Sequence, residues 1–344
     1  MVKQIETVQQ VADLKVEGSR LFSATHEEIK EGLTTDIYFV KTKEILHQLG
    51  RDDAQVVAEI FGRRPGVFAG LPEVKVLLEG LGLEVWSLEE GESFAAKEVV
   101  MRIHGPYSRF GIYETAILGI LASSSGWATA ARTAKEAAGG KPVLCFGARH
   151  VHPAVAPVME RAAVVGGADG ASCILGAKLA GLEPSGTVPH ALFLIVGDTL
   201  EAAKAYHKFM PPGHARSMLV DTFKDEVEES LRLAACPEPG LEPVRLDTPS
   251  ERGGVTPGLI EELRARLDLA GFHNIKIFVS GGLDPERIKL LSAAGADAFG
   301  VGSYISSAAA IDMTMDLKIV DGQATSKRGR IPGLVPSPRL KRVL

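Results

Sequence analysis

The stretch Val143–Asp198 constrains the fold most strongly, and it reads VLCFGARHVHPAVAPVMERAAVVGGADGASCILGAKLAGLEPSGTVPHALFLIVGD. A short apolar run, Val143 to Phe146, stops at Gly147, and Ala148, Arg149, His150 and His152 follow at once. A strand that ends in glycine and hands over to polar side chains delivers reactive groups to the C-terminal end of a parallel sheet. Pro153 to Val165 then reads as a helix, with proline near its first turn and Gly166-Gly167 as its stop. Asp169, Gly170 and Ser172 form a second polar turn, and Ile174 to Leu179 a second helix. Gly186-Thr187-Val188-Pro189-His190 leads into the apolar run Ala191–Val196, read as a strand with His190 at its mouth end. Three polar clusters thus fall where successive strand–helix units turn, and they can converge on one face of a barrel.

The alternation is regular from Lys141 onward. Strands are expected at 143–147, 169–172, 191–196, 217–221, 243–247, 275–280 and 297–301, with helices such as Thr199–Phe209, Lys224–Ala234, Pro257–Ala270 and Pro285–Ala294 between them. Strands alternating with helices of this length imply right-handed crossovers and a parallel sheet. About seven units give an irregular α/β barrel, slightly short of the eight-stranded form. Upstream, a helix is expected after Thr34-Thr35-Asp36, and strands at Ala54–Phe61, Leu83–Trp86 and Val99–Ile103 around a helix Glu73–Leu81. Elements without strict alternation point to an α+β domain. Residues 1–104 are therefore expected to form that N-terminal domain, joined by the C-terminal segment 311–344, and residues 105–310 the α/β barrel. From Tyr107 to Gly140 the pattern is helical and rich in small residues, read as two helices, Glu114–Leu118 and Trp127–Ala138, with Trp127 as core packing.

A chain of 344 residues suits roughly two domains at about 150 residues each. Its net charge of −5 gives no reason to expect nucleic acid as a partner. The first thirty residues mix both charges and lack a secretory apolar core, and no apolar run approaches the roughly 20 residues of a membrane helix. Cys145, Cys173 and Cys236 are far apart, so no zinc ribbon is spaced here, and the sparse count suits a reducing cytoplasm. The tail from Gly322 carries Lys327, Arg328, Arg330, Arg339, Lys341 and Arg342 and no acidic residue. It reads either as a solvated basic tail or as one whose Arg328 and Arg330 face an anionic substrate or a neighbouring subunit.

The clearest phosphate signal is Ser280-Gly281-Gly282 together with Gly300-Val301-Gly302-Ser303. Each follows a strand-like run and precedes a helix, glycines let backbone amides approach an anion, and such paired loops are the usual phosphate site of these barrels. The plain alternative is two ordinary tight turns. Asp221 and Asp247 end strands, with Arg245 on the same strand face as Asp247. Carboxylates there suit ribose hydroxyls or a Mg²⁺ ion bridging a diphosphate, or else cap helices. Phe146 offers a ring face and Arg149 a planar fork for carboxylate or phosphate. Ser172 and Asp169 are weaker candidates for the same pocket. His190 read alone is a satisfied core or surface histidine, and grouping it with His150 and His152 as metal ligands finds no further ligand spacing.

The pieces FGARHVHP, GGADGAS and above all GTVPHAL, with TTDIYFVKT, YETAILG, VRLDT, VSGGL, FGVGSYIS and KRGRIPG in order, cover nearly the whole chain. Together they resemble the nicotinate phosphoribosyltransferase family in its shorter archaeal and bacterial form, of the type II phosphoribosyltransferase fold. That resemblance implies a cytoplasmic homodimer or higher oligomer acting in NAD biosynthesis. It implies ATP-coupled transfer of phosphoribosyl from phosphoribosyl diphosphate to nicotinate, with Mg²⁺ held mainly through the diphosphate. It further implies His190 as a phosphohistidine, Phe146, Arg149 and Ser172 on the nicotinate together with Tyr38 of the partner subunit, and Asp221, Arg245, Asp247 and the two glycine loops on the phosphoribosyl group. The rival expectations are a quinolinate phosphoribosyltransferase, which shares the fold and phosphate loops but uses no ATP, a nicotinamide enzyme, and a non-catalytic barrel that binds a sugar phosphate.

Overall fold

The computed structural model describes residues 4–16, 20–210, 217–236 and 243–344. The chain folds into two compact units, Met1–Gly126 with Ala309–Leu344, and Trp127–Ala308.

The first unit opens with helices α1 (Val8–Asp13), α2 (His26–Lys30) and α3 (Ile37–Gln48). Strands β1 (Gln55–Gly62) and β2 (Gly66–Val67), helix α4 (Leu71–Leu78), and strands β3 (Glu84–Ser87), β4 (Ser93–Phe94) and β5 (Val99–Pro106) follow. Helix α5 (Tyr107–Phe110) then leads to α6 (Glu114–Ala137). Where two helices were expected, α6 is a single run of 24 residues. Its glycines do not break it. A Cβ at Gly126 would stand 2.6 Å from the Ala309 carbonyl oxygen, so that glycine permits a close backbone approach instead.

The second unit runs β6 (Val143–Cys145), α7 (Ala156–Gly166), β7 (Gly170–Ala171), α8 (Ile174–Leu179), α9 (His190–Val196), α10 (Thr199–Phe209), β8 (Met218–Leu219), α11 (Glu226–Ala234), β9 (Pro243–Leu246), α12 (Pro257–Leu269), β10 (Lys276–Ser280), α13 (Pro285–Ala293), β11 (Ala298–Val301) and α14 (Ser303–Ser306). Among the described residues its six strands bond in the order β7-β6-β11-β10-β9-β8, and every pairing is parallel. Strand residues such as Val244, Leu246, Ile277, Val279, Phe299 and Val301 are buried, as expected where helices cover both faces of a parallel sheet. The indole N–H of Trp127 donates to the Ser306 carbonyl at 3.3 Å, and its ring packs on this core.

This is the expected α/β class, with a correction among the barrel strands. The run 191–196 is not a strand but helix α9. A six-residue apolar run cannot by itself distinguish the two. Pro189 enters extended, at φ −78° and ψ 152°, and Gly197 closes the helix at φ 88°. Only Phe193 of the helix is buried, whereas Leu194, Ile195 and Val196 face outward. Among the described residues the sheet is therefore open between β7 and β8, on either side of the missing stave.

The chain then returns to the first unit as β12 (Met313–Val320), β13 (Gln323–Ala324) and β14 (Lys341–Arg342). These complete a sheet of order β13-β12-β1-β5-β3-β14, with β12 antiparallel to β1. Glu59, almost fully buried in β1, takes the Arg102 guanidinium at 2.6 Å and the Val335 amide at 3.2 Å. The basic tail is spent largely on this unit's own acids. Arg330 pairs with Asp316 at 3.0 Å and lies over Phe61, Arg339 reaches Glu98 at 2.7 Å, and Lys341 reaches Glu89 at 2.7 Å. Among the described residues, no helix is long and apolar enough to cross a membrane.

Candidate active site

The C-terminal ends of the second unit's strands carry most of the polar residues singled out in the sequence. β9 and β10 are adjacent, and their ends interlock. Arg245 Nε donates to Ser280 Oγ at 2.8 Å, Ser280 Oγ donates to Asp247 Oδ1 at 2.7 Å, and Arg245 Nη2 lies 3.3 Å from Asp247 Oδ2. A further N–H of Arg245 donates to the hydroxyl of Thr187, in the loop before α9. The guanidinium also sits 5.4 Å from the Phe146 ring centroid, and Phe146 meets Phe278 edge-on at 5.9 Å. Burial pulls the Arg245 pKa below its ordinary value; Asp247 and then Asp221 oppose this, and the nearby Arg149 charge adds to it. An arginine with three bonded partners and an aromatic face beside it is a rigid, planar cation at the sheet's mouth.

The glycine loops flank this network. Gly281 and Gly282 sit at φ +90° and +61°, a conformation that costs other residues but not glycine. Among the described residues, the amides of Gly281, Gly282 and Gly302 donate to no other protein group. Backbone N–H groups left open on a concave loop are what an anion requires. The N-terminus of α13 is different, because Asp284 already caps it through the Arg287 amide at 2.8 Å.

His190 heads α9 rather than a strand, and its Nε2 lies 3.1 Å from Asp221 Oδ2. The Asp221 side chain is 2% exposed against 38% for His190. Burial raises the Asp221 pKa above the usual carboxylate value; His190 opposes this, while the like charge of Asp247 adds to it. Asp221 Oδ1 is buried with no hydrogen-bond partner among the described residues. A half-satisfied buried carboxylate at a site's mouth has room for one more donor or a cation.

On β6 and β7, Arg149 is exposed in the short turn Ala148–His150, and among the described residues it makes no ion pair or hydrogen bond. His150 lies over Gly302, where an added Cβ would stand 3.0 Å from its Nε2. His152 accepts the Ala154 amide at 3.2 Å. Among the described residues no three His, Cys, Asp or Glu side chains gather as metal ligands, so the His150–His152–His190 grouping is absent. Ser172 donates to Glu160 Oε1 at 2.9 Å. Asp169 is at the opposite end of β6, where it accepts the Val143 amide at 2.7 Å and pairs with Lys135. It braces the sheet there, away from the mouth. Tyr38 lies in the first unit on α3, 55% exposed, its ring tilted against Phe39. Thr187 and Glu160 escaped the sequence reading. Thr187 stood inside a motif whose histidine drew the attention, and Glu160 is an acid on the buried stripe of α7 with Met159 and Ala163.

Residues 36–125 match the family model for the N-terminal domain of quinolinate phosphoribosyl transferase, and residues 127–316 match its C-terminal domain. The solved nicotinate-nucleotide pyrophosphorylase from Pyrococcus furiosus is 45% identical, with a TM-score of 0.87 over 92% of this chain and 82% of that one. A nicotinate phosphoribosyltransferase of Mycobacterium tuberculosis is 32% identical over 71% of this chain but 53% of its own length. A probable carboxylating nicotinate-nucleotide pyrophosphorylase of Methanothermobacter thermautotrophicus is 24% identical over 84% of this chain and 98% of its own. The chain spans about half the length of the first curated relatives it matches.

These findings correct the expected activity. The nicotinate phosphoribosyltransferases are distant relatives, while both domain models and the Pyrococcus structure point to the quinolinate type, whose reaction uses no ATP. ATP as cofactor, the ligase-type coupling and the phosphohistidine at His190 fall with that correction. The geometry gives the histidine another partner, the buried Asp221 carboxylate. Two domain models in sequence order, the second spanning over half its length, place this chain in the quinolinate phosphoribosyl transferase family.

Proposed function

We propose that this chain is a quinolinate phosphoribosyltransferase: it transfers the phosphoribosyl group of phosphoribosyl diphosphate to pyridine-2,3-dicarboxylate and releases diphosphate and carbon dioxide, leaving nicotinate mononucleotide. The observation that carries phosphoribosyl transfer is the interlocked Arg245–Asp247–Ser280 group beside the open amides of Gly281, Gly282 and Gly302, and the choice of quinolinate rests on the match to both quinolinate domain models. Open amides suit the 5′-phosphate, and the carboxylates suit the ribose hydroxyls. Phe146 offers a face to the pyridine ring, and Arg149 a fork to a ring carboxylate.

The reaction needs no cofactor to carry electrons. The pyridine nitrogen lone pair forms a bond to C1 of the ribose as the bond to diphosphate breaks, its electron pair leaving with the diphosphate. The ring nitrogen is then positive. The bond from C2 to its carboxylate breaks next, and the electron pair stays on C2 beside that positive nitrogen until a proton arrives. The protein's task is to hold a weak nucleophile in line and to stabilise charge on the leaving group. Asp221, whose Oδ1 is buried without a partner among the described residues, and Asp247 would hold a Mg²⁺ ion, which binds through one or two carboxylates plus substrate phosphates. When bound, that ion neutralises charge on the departing diphosphate.

Product analysis tests the reading. The chain is incubated with phosphoribosyl diphosphate and Mg²⁺ plus quinolinate, nicotinate or nicotinamide, each with and without ATP. Quinolinate should give nicotinate mononucleotide and an equal amount of carbon dioxide without ATP. Turnover of nicotinate with none of quinolinate would overturn it.

A further inference from the structure

The loop carrying Arg149 and the turn carrying Ser172 hang on one buried acid. Glu160, on α7, is fully buried. Its Oε1 accepts the Ala148 amide at 3.1 Å and the Ser172 hydroxyl at 2.9 Å, and its Oε2 accepts the Cys173 amide at 2.5 Å. No basic side chain pairs with it among the described residues. Three neutral donors therefore satisfy the carboxylate, and two of them are main-chain groups at the ends of β6 and β7. A buried acid left without them would be an uncompensated polar group in the interior, so the arrangement holds both loops to one point. Gly176 of α8 makes room for it: a Cβ there would stand 3.2 Å from the Glu160 Cβ and from the Pro157 carbonyl oxygen.

We infer that Glu160 is a positioning residue for the pyridine acid, acting through Arg149: it fixes the main chain at Ala148, one residue before the arginine, and ties it to the β7 turn. The inference rests on the proposed role of Arg149 in the site. It also changes the duty of Ser172. That hydroxyl spends its only proton on Glu160, so it has none to donate to an acceptor-only carboxylate of the substrate. Ser172 is part of the clamp.

Glu160→Gln keeps the shape and one acceptor but turns an NH₂ toward one of three donors. Its KM for the pyridine acid should rise roughly tenfold to a hundredfold, as for a misplaced binding group, while the KM for phosphoribosyl diphosphate stays near wild type. The decisive readout is coupling. In an Arg149→Ala background, Glu160→Gln should have almost no further effect on the pyridine acid, because its route of action is gone. Ser172→Ala, which removes one tie and leaves both amides, should show the same coupling with a smaller loss, and it serves if Glu160→Gln does not fold. Additive losses, or equal rises in both KM values, would mean that Glu160 only supports the fold. If Arg149→Ala itself leaves the pyridine acid KM unchanged, the site assignment of Arg149 fails, and the Glu160 inference with it, by a separate measurement.

Discussion

His190 at the head of α9 and Asp221 at the end of β8 form a pair with 3.1 Å between Nε2 and Oδ2, in which the carboxylate is buried and the imidazole half-exposed. Asp221 keeps its second oxygen buried and unpartnered among the described residues. A buried carboxylate oxygen without a partner costs stability.

The first prediction follows from the sign of that cost. Burial raises the folded-state pKa of Asp221 above its usual value, with His190 only partly opposing it. A raised carboxyl contributes stability that is present below the unfolded pKa and lost as pH rises through the folded one. As pH rises the wild type loses it, and a neutral replacement does not. Asp221→Asn should melt at the same temperature as the wild type or higher at pH 7, with the difference shrinking toward acid pH. Its kcat/KM should nevertheless fall roughly tenfold to a hundredfold. A lower melting temperature at pH 7 would show the ion pair outweighing the burial.

The second concerns Arg245. Its fork serves Ser280, Thr187 and Asp247 at once. Lysine keeps the charge but cannot span three partners. Arg245→Lys should lose about 1–3 kcal/mol of stability through the partners left unsatisfied. Activity should fall by roughly a hundredfold or more, the scale for removing a fixed stabilising donor. Denaturant melts and steady-state rates check both.

The strand ends were legible in the sequence because their chemistry is local. Ser280-Gly281-Gly282 and Arg245-Leu246-Asp247 announce themselves where an apolar run stops, and the structure places them side by side. α9 was not legible, because Ala191–Val196 is apolar all round and its exposure depends on the tertiary fold. Glu160 was hidden for the converse reason: an acid on a helix reads as solvated until its buried partners are known. The substrate was misread because the glycine loops and strand-end carboxylates are features proposed to meet the phosphoribosyl group, which both families transfer. They say little about the acid on the pyridine ring.

The third prediction tests the phosphate loop. A Cβ at Gly282 meets nothing within 4 Å, but the residue sits at φ +61°. Gly282→Ala should therefore fold at a cost of about 1 kcal/mol, from backbone strain alone. The KM for phosphoribosyl diphosphate should rise, and the thermal protection that inorganic phosphate gives the wild type should shrink. Undiminished protection by phosphate would remove the loop from the site.

Gly300, on the neighbouring strand β11, should behave differently although both glycines were read as phosphate ligands. Its backbone is not in the left-handed region, so strain is not the issue. A Cβ there would stand 2.6 Å from Phe146 Cε2 and 3.1 Å from Phe278 Cζ. Real Cβ atoms do not come so close, and the ring of Phe146 must move. It cannot move freely, because Phe278 meets it edge-on and the Arg245 guanidinium lies over its face. Gly300→Ala should thus tilt the surface proposed for the pyridine ring and disturb Arg245 with it. The expected result is a KM for the pyridine acid raised about tenfold, on the scale of a misplaced binding surface, with phosphate protection close to wild type. Adding Phe146→Leu should return the lost space and part of the melting temperature, but not the KM. A Gly300→Ala enzyme that loses phosphate protection and keeps its KM for the pyridine acid would assign this glycine to the phosphate after all.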